Sequence, residues 1–213
     1  MSKPFQDQNI RPFLRPLKPW VIAIAFFVIL RFTGLLSGLS VLTQRAILKI
    51  GLMDFDPASA EVVREKSFNY NFKISDLKGN EIDVKQFKDK VIFLNLWATW
   101  CGPCRAEMPS IQNLYNSVDH DKIVFIMLSI DVPENHDKVV KYVADKSFTF
   151  SAYTKNGSVP EQLNVPLIPT TFVIGKDGKI KSKKEGTSNY DTDTFRNFLK
   201  KLVEEAPEDA NGK

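Results

Sequence analysis

Residues 91–104 read VIFLNLWATWCGPC, a strand pattern that runs directly into a pair of cysteines. Residues 91–97 are almost all apolar, which is typical of a central strand buried on both faces. A helix is predicted from about Cys101, because apolar residues then recur at helical spacing. Both cysteines of the chain, Cys101 and Cys104, therefore lie at a strand-to-helix junction.

This position suits the two cysteines to thiol–disulfide exchange. Cys101 falls at the predicted helix N-terminus, where free N–H groups and the helix dipole stabilise a thiolate. Cys104 lies one turn along the same helix, close enough to close a disulfide, and Pro103 is tolerated in a first turn. We predict that Cys101 attacks a substrate disulfide and that Cys104 then resolves the mixed disulfide.

Two other interpretations of the cysteine pair stay open at this point. A zinc site would need His120 and His136 to converge on the cysteines, since the sequence has no second CxxC or CxxH pair. A permanently closed structural disulfide is the other alternative. We expect no metal and no cofactor beyond a redox-active disulfide between Cys101 and Cys104.

The remainder of residues 67–205 alternates strand and helix patterns, which predicts an α/β fold with a mixed sheet covered by helices. A turn is expected at 78–80, and an Asp-Gly hairpin turn at 176–178. Strands are predicted at 68–72, 81–84, 123–130, 148–153, 171–174 and 179–183, and helices over about 134–146 and from about residue 193.

The formal net charge of +4 is unevenly distributed along the chain. Residues 1–50 hold seven Lys and Arg against one acid, whereas residues 51–213 hold 22 against 24. A nucleic-acid-binding domain is disfavoured, because its basic surface should lie on the folded part. Two cysteines are also too few for a disulfide scaffold.

Residues 20–43 predict a transmembrane anchor, because they contain one charge, Arg31. A helix of this length covers about 36 Å, enough to cross a hydrocarbon core. Basic residues within 1–19 place the N-terminus in the cytoplasm by the positive-inside rule. A cleaved signal peptide is the competing interpretation. The expected order is a basic N-terminus, the anchor, a linker, the α/β domain and an acidic tail, at 1–19, 20–43, 44–66, 67–205 and 206–213.

Arg31 is the costly residue of this anchor. Arg31, Gly34 and Gly38 fall on one helical face, and the small-xxx-small pair lets another helix approach closely. A helix–helix contact would shelter the guanidinium. The alternative is a plain single-pass anchor whose Arg31 reaches towards the membrane surface.

Residues 91–109, VIFLNLWATWCGPCRAEMP, resemble the thioredoxin superfamily. Within it, the sequence is similar to the TlpA/ResA-like membrane-anchored thiol–disulfide oxidoreductases over roughly residues 67–205. Cys101 and Cys104 match the active-site pair, and Pro109 matches the proline inside the active-site helix. Ile168 and Pro169 match the cis-proline loop that offers backbone to the substrate, and Glu107 matches the acidic residue after the second cysteine.

The resemblance implies a three-layer thioredoxin-like fold with a central mixed sheet, an N-terminal β-hairpin and a helix–strand insert at about 132–155. Asn95 stands where thioredoxin has a buried Asp, so Glu107 is the candidate carboxylate for the proton of Cys104. The catalytic residues are then expected to be Cys101, Cys104 and Glu107. Those expected to contact substrate are Trp100, Gly102, Pro103, Ile168 and Pro169.

The CGPC motif resembles that of reducing thioredoxins, so the expected activity is reduction of protein disulfides. The resemblance implies a membrane electron donor of the CcdA/DsbD type and allows apocytochrome c as a substrate. The expected location is the inner membrane, with the catalytic domain periplasmic or extracytoplasmic. A non-enzymatic binding module or copper chaperone is the alternative, but it predicts a wider CxxxC and a partner His. A peroxidase would want a Pro-x-x-x-Thr segment before Cys101, and none is present.

Overall fold

The computed structural model describes residues 17–32, 54 and 66–205. One compact unit contains helix α1 and a second contains residues 66–205, and each is described by itself. The predictions for Gly34, Gly38, the rest of the anchor after residue 32 and the acidic tail lie outside the described residues.

Helix α1 spans Leu17–Phe32 and is 16 residues long. It carries a series of exposed apolar side chains: Trp20, Val21, Ile22, Ile24, Phe26, Val28 and Ile29. Among the described residues, the helices fall short of the combination of length and apolar character that membrane crossing requires.

The strands within residues 66–205 form one seven-stranded sheet in the order β2-β1-β5-β4-β3-β6-β7. β3 pairs in parallel with β4, and β4 with β5, whereas the other pairs are antiparallel. The mixed sheet predicted from the sequence is therefore confirmed. The strands are β1 Lys73–Asp76, β2 Glu81–Asp83, β3 Val91–Trp97, β4 Ile123–Ser129, β5 Ala152–Asn156, β6 Thr170–Ile174 and β7 Ile180–Glu185.

Three helices cover one face of this sheet: α2 Gly102–Asn116, α3 His136–Asp145 and α4 Asp193–Glu204. Their apolar side chains pack against Phe93 and Trp97 of β3. The alternate residues of β3, such as Leu94, point to a second core on the opposite face. That core is closed by Phe68, Tyr70 and Phe72, by Val84 of the 3-10 turn Val84–Phe87, and by Leu163 of the 3-10 turn Glu161–Leu163.

The N-terminal hairpin is present, but its first strand lies later than the sequence pattern predicted. Residues 68–72 are not a strand, because Phe72 N–H bonds the Tyr70 carbonyl and Asn71 N–H bonds the Asn69 side chain. Backbone donors used within the segment cannot form a ladder with a neighbouring strand. The aromatic alternation at 68–72 instead serves the second core.

The insert between β4 and β6 contains α3 and β5, as the resemblance implied. The strand predicted at 148–153 begins only at Ala152. Phe148 N–H bonds the Val143 carbonyl of α3, and Thr149 N–H bonds the Gln112 side chain. These contacts keep the start of the apolar run out of the sheet.

Candidate active site

The two cysteines form a disulfide at the N-terminus of α2, with their Cα atoms 5.3 Å apart. Cys101 is the N-cap residue of α2, and its Sγ accepts the backbone N–H of Cys104 at 3.1 Å. Central strand β3 delivers the chain to this point, and Pro103 occupies the first turn of the helix. An N–H donor at the sulfur of Cys101 favours a thiolate there when the pair is reduced.

The two sulfur-bearing residues differ in their access to solvent. Cys101 retains 5% of its surface exposed, whereas Cys104 retains none. An incoming thiol or disulfide can therefore reach the pair only through Cys101. This asymmetry agrees with an attacking role for Cys101 and a resolving role for Cys104.

The Ile168–Pro169 loop lies directly beside the disulfide. Its peptide bond is cis, as the resemblance implied, and the Ile168 carbonyl oxygen lies 3.9 Å from Cys101 Sγ. Since the oxidised sulfur carries no hydrogen, this is a contact rather than a hydrogen bond. The register of β3 and β6 pairs Leu96 with Thr170, which brings the loop next to the end of β3.

Exposed apolar side chains adjoin both Cys101 and the cis-proline loop. Within residues 66–205, the exposed large apolar side chains are Trp100 at 66%, Val132 at 55% and Leu167 at 44%. Trp100 precedes Cys101, and Leu167 precedes the cis-proline loop. Pro103 is exposed, and a Cβ added at Gly102 would meet no atom within 4 Å. Of the residues expected to contact substrate, Trp100, Gly102 and Pro103 thus adjoin Cys101 and Ile168 contacts its sulfur, whereas Pro169 is buried.

Glu107 lies one turn beyond Cys104 on α2 and is fully buried. Its Oε2 accepts the Ser188 backbone N–H at 3.0 Å, and its Oε1 accepts the Asn95 amide at 2.9 Å. Burial raises the pKa of Glu107 from 4.5 to about 8, although both hydrogen bonds act in the opposite direction. The carboxyl group is thus able to exchange a proton near neutral pH.

A buried polar network extends from Glu107 across the sheet. The Asn95 amide also donates to Thr171 Oγ1 at 2.8 Å, and the Tyr190 hydroxyl donates to the same oxygen at 2.8 Å. Burial, followed by the charge of Glu107, raises the pKa of Tyr190. Sequence reasoning missed Thr171, Ser188 and Tyr190. For Thr171 a polar residue at the start of an apolar strand was the available signal.

A family model described as Redoxin matches residues 65–202, the segment that contains the disulfide, the cis-proline loop and Glu107. The chain belongs to the redoxin family. A redoxin relative, the thiol-disulfide oxidoreductase ResA of Bacillus thuringiensis subsp. konkukian, is 35% identical over 134 residues, 62% of this chain and 75% of the relative. The thioredoxin-like protein YneN of Bacillus subtilis is 26% identical over 80% of this chain and 92% of its own length.

The solved structures place the fold of this redoxin among thioredoxin-like proteins. The thioredoxin domain of a thiol-disulfide oxidoreductase from Bacteroides vulgatus matches with a TM-score of 0.53 and 22% identity, over 65% of this chain and 99% of that domain. The predicted thioredoxin-like α/β fold is therefore confirmed. The family and the ResA similarity show that the redoxin described here is a thiol–disulfide oxidoreductase.

Proposed function

We propose that this redoxin reduces protein disulfides through the Cys101–Cys104 dithiol, on the extracytoplasmic side of a membrane to which residues 20–43 tether it. The observation that carries the proposal is Cys101 itself. It caps α2, receives the Cys104 N–H at 3.1 Å and is the accessible member of the pair. A membrane dithiol donor of the CcdA/DsbD type would return electrons to the enzyme.

The reaction proceeds by two displacements at sulfur. The thiolate of reduced Cys101 attacks one sulfur of the substrate disulfide, and the other substrate sulfur leaves as a thiolate. Cys104 then loses its proton and attacks Cys101 Sγ, which releases the second substrate thiol. Two electrons pass to the substrate, and the enzyme is left with its own disulfide.

Glu107 is the proposed acceptor for the proton of Cys104. The carboxyl group lies on the same helix, three residues further on, and its pKa of about 8 is close to that of an ordinary thiol. A proton passes readily between groups of similar pKa. Because Cys104 is fully buried, bulk water cannot replace Glu107 in this role.

The substrate is proposed to bind as an extended segment across the apolar surface beside Cys101. Trp100, next to Cys101, and Leu167, next to the cis-proline loop, provide that surface, and the Ile168 carbonyl faces the reacting sulfur. An apolar rim of this kind favours unfolded chains, whose apolar side chains are exposed next to their cysteines. Apocytochrome c is one substrate of this description, and no further cofactor is needed for the exchange.

The experiment that tests this mechanism is to trap the mixed disulfide. The Cys104→Ser variant of the full chain, mixed with insulin as a disulfide probe, should form a covalent adduct that persists on a non-reducing gel. The matched variant Cys101→Ser should form none, because its remaining sulfur is fully buried. Equal adduct formation by both variants would contradict the assigned roles.

A further inference from the structure

Asp131 is a buried carboxylate that none of the steps above uses. It follows β4 and is 5% exposed. Its Oδ2 accepts the backbone N–H of Thr99 at 2.8 Å and the Ser129 hydroxyl at 2.7 Å, and its Oδ1 accepts the Thr99 hydroxyl at 2.7 Å. Thr99 lies two residues before Cys101 in the turn that joins β3 to α2. The carboxylate therefore holds the segment that carries the reactive cysteine.

Hydrogen bonds fix the middle of this turn, whereas Ala98 and Cys101 at its two ends are buried in the core. Trp100, between Thr99 and Cys101, is 66% exposed, so packing of its ring cannot fix the backbone. Two backbone bonds flank Thr99: Ile130 N–H to the Trp97 carbonyl at 2.8 Å, and Cys101 N–H to the Ala98 carbonyl at 3.1 Å. Both Thr99 bonds to Asp131 join the turn to the end of β4 and complete this set.

A carboxylate does here what a neutral side chain cannot. Both oxygens of Asp131 accept, and the three donors are a backbone N–H and two hydroxyls. An asparagine in the same place offers one acceptor oxygen, and its NH₂ group could bond the Thr99 hydroxyl only if that hydroxyl turned its own hydrogen away. Burying a carboxylate is unfavourable unless such donors surround it, so its presence at this position calls for a reason beyond filling space.

We propose that Asp131 is a positioning residue for thiol–disulfide exchange: it clamps Thr99 and thereby holds Cys101 Sγ against the Cys104 N–H and the Ile168 carbonyl. The proposal rests on the assignment of Cys101 as the attacking sulfur. Asp131, which follows β4, thereby joins a site that is otherwise built by β3, α2 and the cis-proline loop.

The test measures the rate at which iodoacetamide alkylates Cys101 in the reduced full chain. Asp131→Asn should slow alkylation about tenfold, because a displaced Cys101 Sγ loses the Cys104 N–H that stabilises its thiolate. Removal of a negative charge alone would act in the opposite direction, since a thiolate then forms more easily. A slower reaction therefore reports position, and an unchanged or faster one overturns the proposal. The probe does not depend on which substrate the enzyme reduces or on the direction of electron flow.

Variants of Thr99 keep the Asp131 carboxylate and test whether it positions Cys101 through Thr99. Thr99→Val removes the hydroxyl bond at similar size and should slow alkylation, whereas Thr99→Ser keeps the hydroxyl and should react faster than Thr99→Val. The double variant Asp131→Asn with Thr99→Val should be no slower than Asp131→Asn alone, because both changes break the same contact. If the double variant instead slows alkylation by the product of the two single effects, Asp131 does not act through Thr99. If Asp131→Asn does not fold, the comparison of the two Thr99 variants decides.

Asp177 provides a matched control. Its side chain is 8% exposed and accepts the Lys179 backbone N–H at 3.1 Å and Lys181 Nζ at 2.7 Å. It lies in the β6–β7 turn, at the end of β6 away from the cis-proline loop. Asp177→Asn should lower the melting temperature and leave the alkylation rate of Cys101 unchanged. Equal losses of stability in Asp131→Asn and Asp177→Asn, without a loss of rate in either, would show a purely structural role for Asp131.

Discussion

The hydrogen-bond partners of single buried residues set the chemistry of this redoxin. Asn95 occupies the central strand with 1% of its surface exposed, and it uses both amide hydrogens to hold Glu107 and Thr171. A titratable residue at Asn95 would add a second buried charge next to Glu107. With an amide there, Glu107 is the buried acid of this network, which is the basis of the proposed proton exchange with Cys104.

The pKa of Glu107 makes folding stability depend on pH. The folded chain keeps this proton up to about pH 8, whereas the unfolded chain releases it at the ordinary value of 4.5. The contribution of the neutral carboxyl is fully present below pH 4.5 and is lost as the pH rises towards 8. Glu107→Gln cannot titrate, so its stability relative to wild type should increase with pH across this window.

Urea unfolding of the oxidised full chain at a series of pH values measures this effect. Glu134→Gln, which removes an exposed carboxyl group, is the control and should follow the wild-type pH dependence. If the free energies of unfolding of wild type and Glu107→Gln run parallel between these pH values, Glu107 does not carry the raised pKa assigned to it.

Sequence patterns predicted the strands correctly where both faces of the strand are buried. β3 and β4 are apolar on both faces, and their predicted and observed ranges agree within one residue. The pattern failed at 68–72 and 148–153, where aromatic side chains pack into a core while the backbone bonds locally. Apolar alternation reports which side chains are buried, and it does not report where the backbone donors go.

Helix α1 is the element that carries the proposed tether. The apolar side chains that the structure describes between Trp20 and Ile29 are exposed, and residues 33–43 continue the apolar sequence. Val28→Lys together with Ile29→Lys should release the chain from membranes, because both positions lie near the centre of a span over 20–43, where each charge costs about 3 kcal/mol. Val132→Lys, at an exposed apolar residue of the globular unit, is the control and should not release it.

Carbonate extraction of membranes followed by mass measurement of the chain gives the readout. Wild type and Val132→Lys should stay in the membrane pellet at full length. A wild-type chain shortened after residue 30 and found in the supernatant would favour the cleaved signal peptide instead.

At the scale of the whole molecule, the site combines neighbours in sequence with residues that only the fold brings together. The cysteine pair was predictable because both partners lie in one turn of one helix. The bond from Ser188 to Glu107 joins positions 81 residues apart, and that from Thr99 to Asp131 joins positions 32 apart. Strand order and register create such contacts, and a single sequence does not specify them. Asp54 shows the same effect in the predicted linker, where it bonds the Asn189 side chain at 2.7 Å.

The reduction potential of the Cys101–Cys104 couple in the full chain tests the proposed direction of electron flow most directly. It can be measured by equilibration with glutathione or dithiothreitol buffers and quantification of the reduced fraction. A reductase of protein disulfides should have a potential nearer to the value of about −270 mV of thioredoxin than to the value of about −120 mV of a strong oxidant. A potential at the oxidising end would contradict the account, because the disulfide would then draw electrons from substrate thiols.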